Sequence, residues 1–134
     1  MKDHKSLLPD KKIKVLIIDD EEDFCQVIAA FLKKKGYNST IRHTLSSGLH
    51  ELEILQPQIL FLDNHLPDGR GWNCTEELLK KYPSLHINLI SAYKDNLPTF
   101  PSDQRVKVLE KPLSLRQVDE LLSSLTFSPG GADQ

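Results

Sequence analysis

The sequence predicts one doubly wound α/β domain, a five-stranded parallel sheet with helices on both faces. Two patterns predict it. Short apolar, β-branched runs alternate with longer stretches whose apolar residues recur at helical spacing. The strongest runs also end in carboxylates, at the strand ends where open α/β sheets place their chemistry. The 134 residues amount to one domain, long enough to bury about two-thirds of the unfolded surface without a disulfide or metal staple.

Taken in order, Ile13-Lys14-Val15-Leu16-Ile17-Ile18 is apolar, stops at acids and reads as a buried strand. Phe24, Val27, Ile28, Phe31 and Leu32 then recur as one helix face. Lys33, Lys34 and Lys35 suit the negative end of that helix, and Gly36 its C-terminal cap. Residues 38–43 form a weaker strand. Leu45, Leu49, Leu52 and Leu55 mark a second helix, which Pro57 ends. Gln58-Ile59-Leu60-Phe61-Leu62-Asp63 is a second strongly apolar strand, followed by the turn chemistry of Leu66-Pro67-Asp68-Gly69-Arg70-Gly71. Trp72, Thr75, Leu78 and Leu79 give a third helical stripe, with Trp72 as its anchor. Residues 86–91 and 106–110 are the last two strands. Ser114 with Gln117 predicts a capping box, and Leu115, Val118, Leu121, Leu122 and Leu125 the face of the final helix. Pro98 and Pro101 fall where a fourth helix belongs. Interior proline costs about 3 kcal/mol, so that fourth helix is expected to be short or broken. Residues 1–11 read as an N-terminal extension, 12–127 as the domain, and 128–134 as a tail or linker start.

Composition excludes several classes. Hydrophobic residues are 39% and charged residues 27% of the chain, an ordinary globular balance. The net charge of −2 argues against binding nucleic acid or a membrane surface by charge alone. The longest apolar run, Val27 to Leu32, is far short of the ~18 residues that span a bilayer. The charged N-terminus, Met1-Lys2-Asp3-His4-Lys5, leads to the expectation of no secretory leader. Cys25 and Cys74 form no Cys-x-x-Cys pair and read as free thiols in a reducing, cytoplasmic setting. The small net charge hides an asymmetry: five of the 19 acids stand consecutively at Asp19 to Asp23.

That run lies at a strand end, as do Asp63, then Ser91-Ala92, then Lys111-Pro112. Asp19, Asp20 and Asp63 would converge on one pocket, and like charges so close call for a cation. An all-oxygen ligand set suits Mg²⁺. A hydroxyl and an ammonium on neighbouring strands would hold an anion beside it. Metal ligands, an oxyanion partner and a nucleophilic carboxylate together form a phosphoryl-transfer constellation. Glu21, Glu22 and Asp23 read instead as acids favouring a helix N-terminus.

Four segments carry a resemblance: Val-Leu-Ile-Ile-Asp-Asp-Glu-Glu-Asp (15–23), Ile-Leu-Phe-Leu-Asp-Asn-His-Leu-Pro-Asp-Gly-Arg-Gly (59–71), Leu-Ile-Ser-Ala (89–92) and Glu-Lys-Pro-Leu (110–113). In this order, each at a strand end, the sequence resembles a response-regulator receiver domain of two-component signalling over roughly Lys12 to Phe127. The resemblance implies a flavodoxin-like sheet of order 2-1-3-4-5, as in the chemotaxis regulator. It implies Asp63 as phosphoacceptor, and Asp20 and Asp19 as Mg²⁺ ligands with Asp63 and the backbone carbonyl of His65. Ser91 and Lys111 would bond the phosphoryl oxygens, and Pro112 would follow a cis peptide bond. The implied function is a phosphorylation-dependent switch, not an enzyme acting on other substrates. A sensor histidine kinase or phosphotransfer protein would donate the phosphoryl group. A downstream effector or output domain would respond, with the receiver a monomer or a phosphorylation-dependent homodimer.

Two features depart from the family. Val108 stands where an aromatic switch residue is usual, and the Ser91 to Lys111 interval is short and holds both prolines. Phosphorylation is expected to be retained while the relay beyond it differs. His65 and Tyr93, two residues past Asp63 and Ser91, are expected to shield the phosphoryl group from water. Other readings are a pseudo-receiver acting without phosphate, a Mg²⁺ phosphatase and a flavodoxin-like carrier. The chain offers no insertion long enough for a phosphatase cap, and acids after the first strand would repel a flavin phosphate.

Overall fold

The computed structural model describes residues 12–92 and 103–125. Among them the alternating pattern folds as five strands and four helices: β1 (Lys14–Ile18), α1 (Glu22–Lys34), β2 (Asn38–Arg42), α2 (Leu45–Leu55), β3 (Ile59–Asp63), α3 (Trp72–Lys81), β4 (His86–Ser91), β5 (Val106–Glu110) and α4 (Leu115–Ser124). All strand pairs are parallel, in the order β2-β1-β3-β4-β5. The expected short or broken fourth helix falls largely on residues 93–102, outside the described residues, as do Tyr93, Pro98 and Pro101.

Alternation along the strands builds two cores. Val15, Ile17, Ile59, Phe61 and Ile90 face Cys25, Ile28 and Leu32 of α1 and Val118, Leu121 and Leu122 of α4. Leu16, Ile18, Leu60, Leu62, Ile87 and Leu89 face Leu52 of α2 and Leu78 of α3, with Trp72 packed at the edge. Strands covered on both sides need apolar residues at every position, which is why β1 and β3 read as unbroken apolar runs. All five residues of β3 are buried.

Several expectations shift by a residue for local reasons. His43 lies just beyond β2, its ring nitrogen Nδ1 2.8 Å from the Asp19 carbonyl oxygen. Gln58 stays outside β3, its side-chain Oε1 accepting from the Lys14 N–H at 2.8 Å. Val27 is 53% exposed, because the α1 stripe centres on Cys25, Ile28 and Leu32 and leaves Val27 on its flank. Leu115 opens α4 and is likewise exposed. Gly36 has φ +93°, and the Gly36 and Tyr37 N–H groups close α1 on the Lys33 and Leu32 carbonyls, the six-residue glycine cap. The Ser114–Gln117 capping box forms as expected.

Arg105 anchors the chain entering β5. Its guanidinium grips the Asp103 carboxylate through Nε and Nη2, at 3.2 and 3.0 Å. Its Nη1 donates to the carbonyls of Leu79, Tyr82 and Pro83, at 3.2, 3.2 and 2.7 Å, and so closes the C-terminus of α3. Arginine's fork of five donors is the side chain that can do both at once. Arg105→Ala is expected to lower unfolding free energy by about 2–3 kcal/mol, the worth of charge-assisted bonds at a half-buried site, read from urea unfolding. The bonds from Arg105 hold the Asp103 carboxyl below the usual range. The Asp103 share of that contribution is therefore present at neutral pH and is lost as pH falls through the lowered value, while the bonds to the three carbonyls remain.

Candidate functional site

Strand order reverses between β1 and β3, because β2 lies to one side of β1 and β3 to the other. The crevice past their carboxyl ends is the switch point of a doubly wound sheet. Asp19 and Asp20 leave β1 there, and Asp63 ends β3. Carboxylate oxygens of all three lie within 4.8 Å of one another, with Asp19 and Asp63 buried and Asp20 exposed. Ser91 closes β4, fully buried, and its carbonyl accepts from the Lys111 N–H at 3.0 Å. The Lys111 ammonium reaches back over the crevice, 3.1 Å from Asp19 Oδ2 and 3.7 Å from Asp63 Oδ2. The Lys111–Pro112 peptide bond is cis.

Local chemistry fixes these groups. Asp19 Oδ1 accepts from the Glu21 N–H at 2.9 Å, and Asp63 Oδ1 from the His65 N–H at 3.1 Å. The buried Asn64 caps α3, its Oδ1 accepting from the Trp72 N–H at 2.8 Å. Asp68 caps α2 from the same loop, accepting from the Leu45 and Ser46 N–H groups at 2.7 and 2.9 Å. Gly71 sits where a Cβ would lie 2.8 Å from the Asp63 carbonyl oxygen, so only glycine lets α3 begin this close to Asp63.

Burial and crowding set the electrostatics. Burial pushes Asp63 up to about 6; the His65 N–H opposes this, the Asp19 charge adds to it, Lys111 opposes it and Asp20 adds to it. Burial also raises Asp19, against the Glu21 N–H and Lys111. Lys111 is pulled down by burial, but its pairing with Glu21 and Asp19 outweighs that and leaves it raised. Three carboxylates thus compete for one close ammonium. Asp19 Oδ2 is buried and accepts no aligned hydrogen bond among the described residues. An all-oxygen, charge-excess pocket of this kind fits a hard dication such as Mg²⁺.

The family model for the response regulator receiver domain matches residues 15–123. The chain belongs to the response regulator receiver family. The receiver is 29% identical over 79 residues to the photosynthetic apparatus regulatory protein RegA of Rhodovulum sulfidophilum, covering 59% of this chain and 43% of RegA. It is 23% identical over 122 residues to the acid tolerance regulatory protein ActR of Rhizobium meliloti, covering 91% of this chain and 61% of ActR. It therefore spans less than two-thirds of the length of either relative. Among solved structures, the CheY-like receiver domain from Methylobacillus flagellatus superposes with a TM-score of 0.68 at 20% identity, covering 85% of this chain and 98% of that one. The non-phosphorylated HemR receiver domain of Leptospira biflexa gives 0.70 at 22%, covering 88% and 99%. At these identities the likeness shows the fold. Receivers are signalling modules of two-component systems rather than classical enzymes, and the family works with sensor kinases and output domains. Receivers generally use Mg²⁺ at an acidic aspartate cluster. No helix among the described residues is long and apolar enough to cross a membrane.

The structure brings together Asp19, Asp20, Asp63 and Lys111, and places Ser91 and His65 at the adjoining strand end and loop. Val108, at the usual aromatic position, is a half-buried β5 residue paired with Leu89. Sequence reasoning missed Glu21, a helix-start acid that also meets Lys111 at 2.6 Å. It also missed Asn64 and Asp68 as caps, since each acts on a helix distant in sequence and neither shows a local capping signature.

Crowded carboxylates destabilise the metal-free receiver. A carboxyl raised to about 6 favours the fold while protonated, and that benefit is lost as pH rises through about 6. Asp63→Asn keeps an acceptor for His65 and removes the charge. It is expected to stabilise the metal-free protein by on the order of 1–3 kcal/mol near neutral pH. The gain should shrink as pH falls towards about 4 and also when Mg²⁺ is added, as measured by thermal unfolding.

Proposed function

We propose that this receiver is a phosphorylation-dependent switch that takes a phosphoryl group onto Asp63 from a phosphohistidine of a sensor kinase or phosphotransfer protein. One observation supports it above others: at the switch point of the sheet, Asp63 stands against Asp19 and Asp20 with Lys111 3.7 Å away. Asp19, Asp20, Asp63 and the His65 backbone carbonyl would hold Mg²⁺, which when bound supplies charge neutralisation at the transferring oxygens.

An Asp63 carboxylate oxygen attacks the phosphorus in line. The new O–P bond forms as the P–N bond breaks, and its electron pair returns to the imidazole nitrogen. Lys111 balances charge on the phosphoryl oxygens, and the Ser91 hydroxyl donates to one of them. The added oxygens give the conformation that pairs with them a differential stabilisation, which shifts the receiver's conformational population towards it. With Val108 in place of an aromatic switch, the relay from there to an effector or output domain follows a different path.

Incubation with Mg²⁺ and a small phosphodonor is expected to add one phosphate mass, in an acid-stable, base-labile adduct that Asp63→Asn abolishes. Absence of the adduct in wild type, with the protein folded and partners still bound, would favour a pseudo-receiver. His65, an exposed residue, bonds the same carboxylate through its backbone N–H. His65→Ala is expected to shorten the adduct's half-life, read as inorganic phosphate release.

A further inference from the structure

Lys111 has a nearer partner than the aspartates. Its ammonium lies 2.6 Å from Glu21 Oε1, against 3.1 Å to Asp19 Oδ2 and 3.7 Å to Asp63 Oδ2. It also stands 5.1 Å from the centre of the Phe24 ring. Glu21 and Phe24 both belong to the start of α1, so this helix end clasps the lysine from one side. The Lys111 side chain is only 17% exposed, whereas that of Glu21 is 60% exposed. Glu21 therefore tethers a largely buried ammonium from the solvent side of the crevice.

We infer that Glu21 is a positioning residue that holds Lys111 back from Asp63 until a phosphoryl group competes for it. The inference rests on Asp63 as the phosphoryl site. Lys111 has three N–H donors, and a phosphoryl group on Asp63 would add acceptor oxygens to a carboxylate that already lies 3.7 Å from the ammonium. Pairing with those oxygens draws the ammonium away from Glu21, so the Glu21–Lys111 contact opposes the phosphorylated arrangement. Removing the Glu21 charge lifts that opposition. An exposed carboxylate has little structural role to lose, which separates the effect from unfolding.

Beryllofluoride with Mg²⁺ serves as the phosphoryl probe, its binding followed by fluorescence of Trp72, the chain's single tryptophan, whose backbone N–H donates to Asn64 Oδ1 next to Asp63. Glu21→Gln and Glu21→Ala are expected to bind beryllofluoride about two- to fivefold more tightly than wild type at low salt, the worth of a partly exposed ion pair. The gain should fade at high salt, as screening weakens the Glu21–Lys111 pair, and should vanish in a Lys111→Met background. A purely structural role for Glu21 would produce neither dependence. Equal or weaker binding by both folded variants overturns the inference. Wild type that fails to bind beryllofluoride overturns the phosphorylation reading and this inference with it.

Discussion

Two desolvated carboxylates at the centre of the sheet are the constraint around which the rest of this receiver is arranged. Asp19 is 1% and Asp63 4% exposed, at the ends of two adjacent strands that are apolar on both faces. Burying such groups side by side is unfavourable unless something positive comes with them. Lys111 supplies part of that charge, reaching in from beyond β5. Its share is incomplete, because one ammonium faces Asp19, Asp63 and Glu21. The unmet remainder leaves an excess of negative charge that suits a hard dication.

The strands can hold this strain because the sheet is pinned around it. The loop that follows Asp63 is fixed at two points, Asn64 at the N-terminus of α3 and Asp68 at that of α2. Each contact satisfies helix donors that would otherwise lack partners. Each also restrains the His65 backbone, which lies between them. Gly71 lets α3 start against the Asp63 carbonyl. Stability and site geometry therefore share the same residues.

Much of this was readable from the chain. Unbroken apolar runs at Val15 to Ile18 and Ile59 to Leu62 announced central parallel strands, and acids at their ends announced the crevice. The Ser114 capping box and the Gly36 terminus were local signals and were read correctly. What escaped were contacts between residues distant in sequence. Glu21 looked like a helix-start acid, which it is; its meeting with Lys111 depends on where β5 lies in the sheet. Asn64 and Asp68 cap helices that begin eight residues later and 23 residues earlier. Val27 fitted a helical spacing yet sits on the flank, because spacing alone does not locate the stripe's centre.

Carboxyl-carbon NMR of Asp63 across a pH titration tests whether desolvated, crowded carboxylates govern this site. The midpoint is expected near 6 in the metal-free receiver, raised first by burial and then by the Asp19 charge. With saturating Mg²⁺ the midpoint should fall below the ordinary carboxylate range. An ordinary midpoint without metal, unmoved by Mg²⁺, would contradict it.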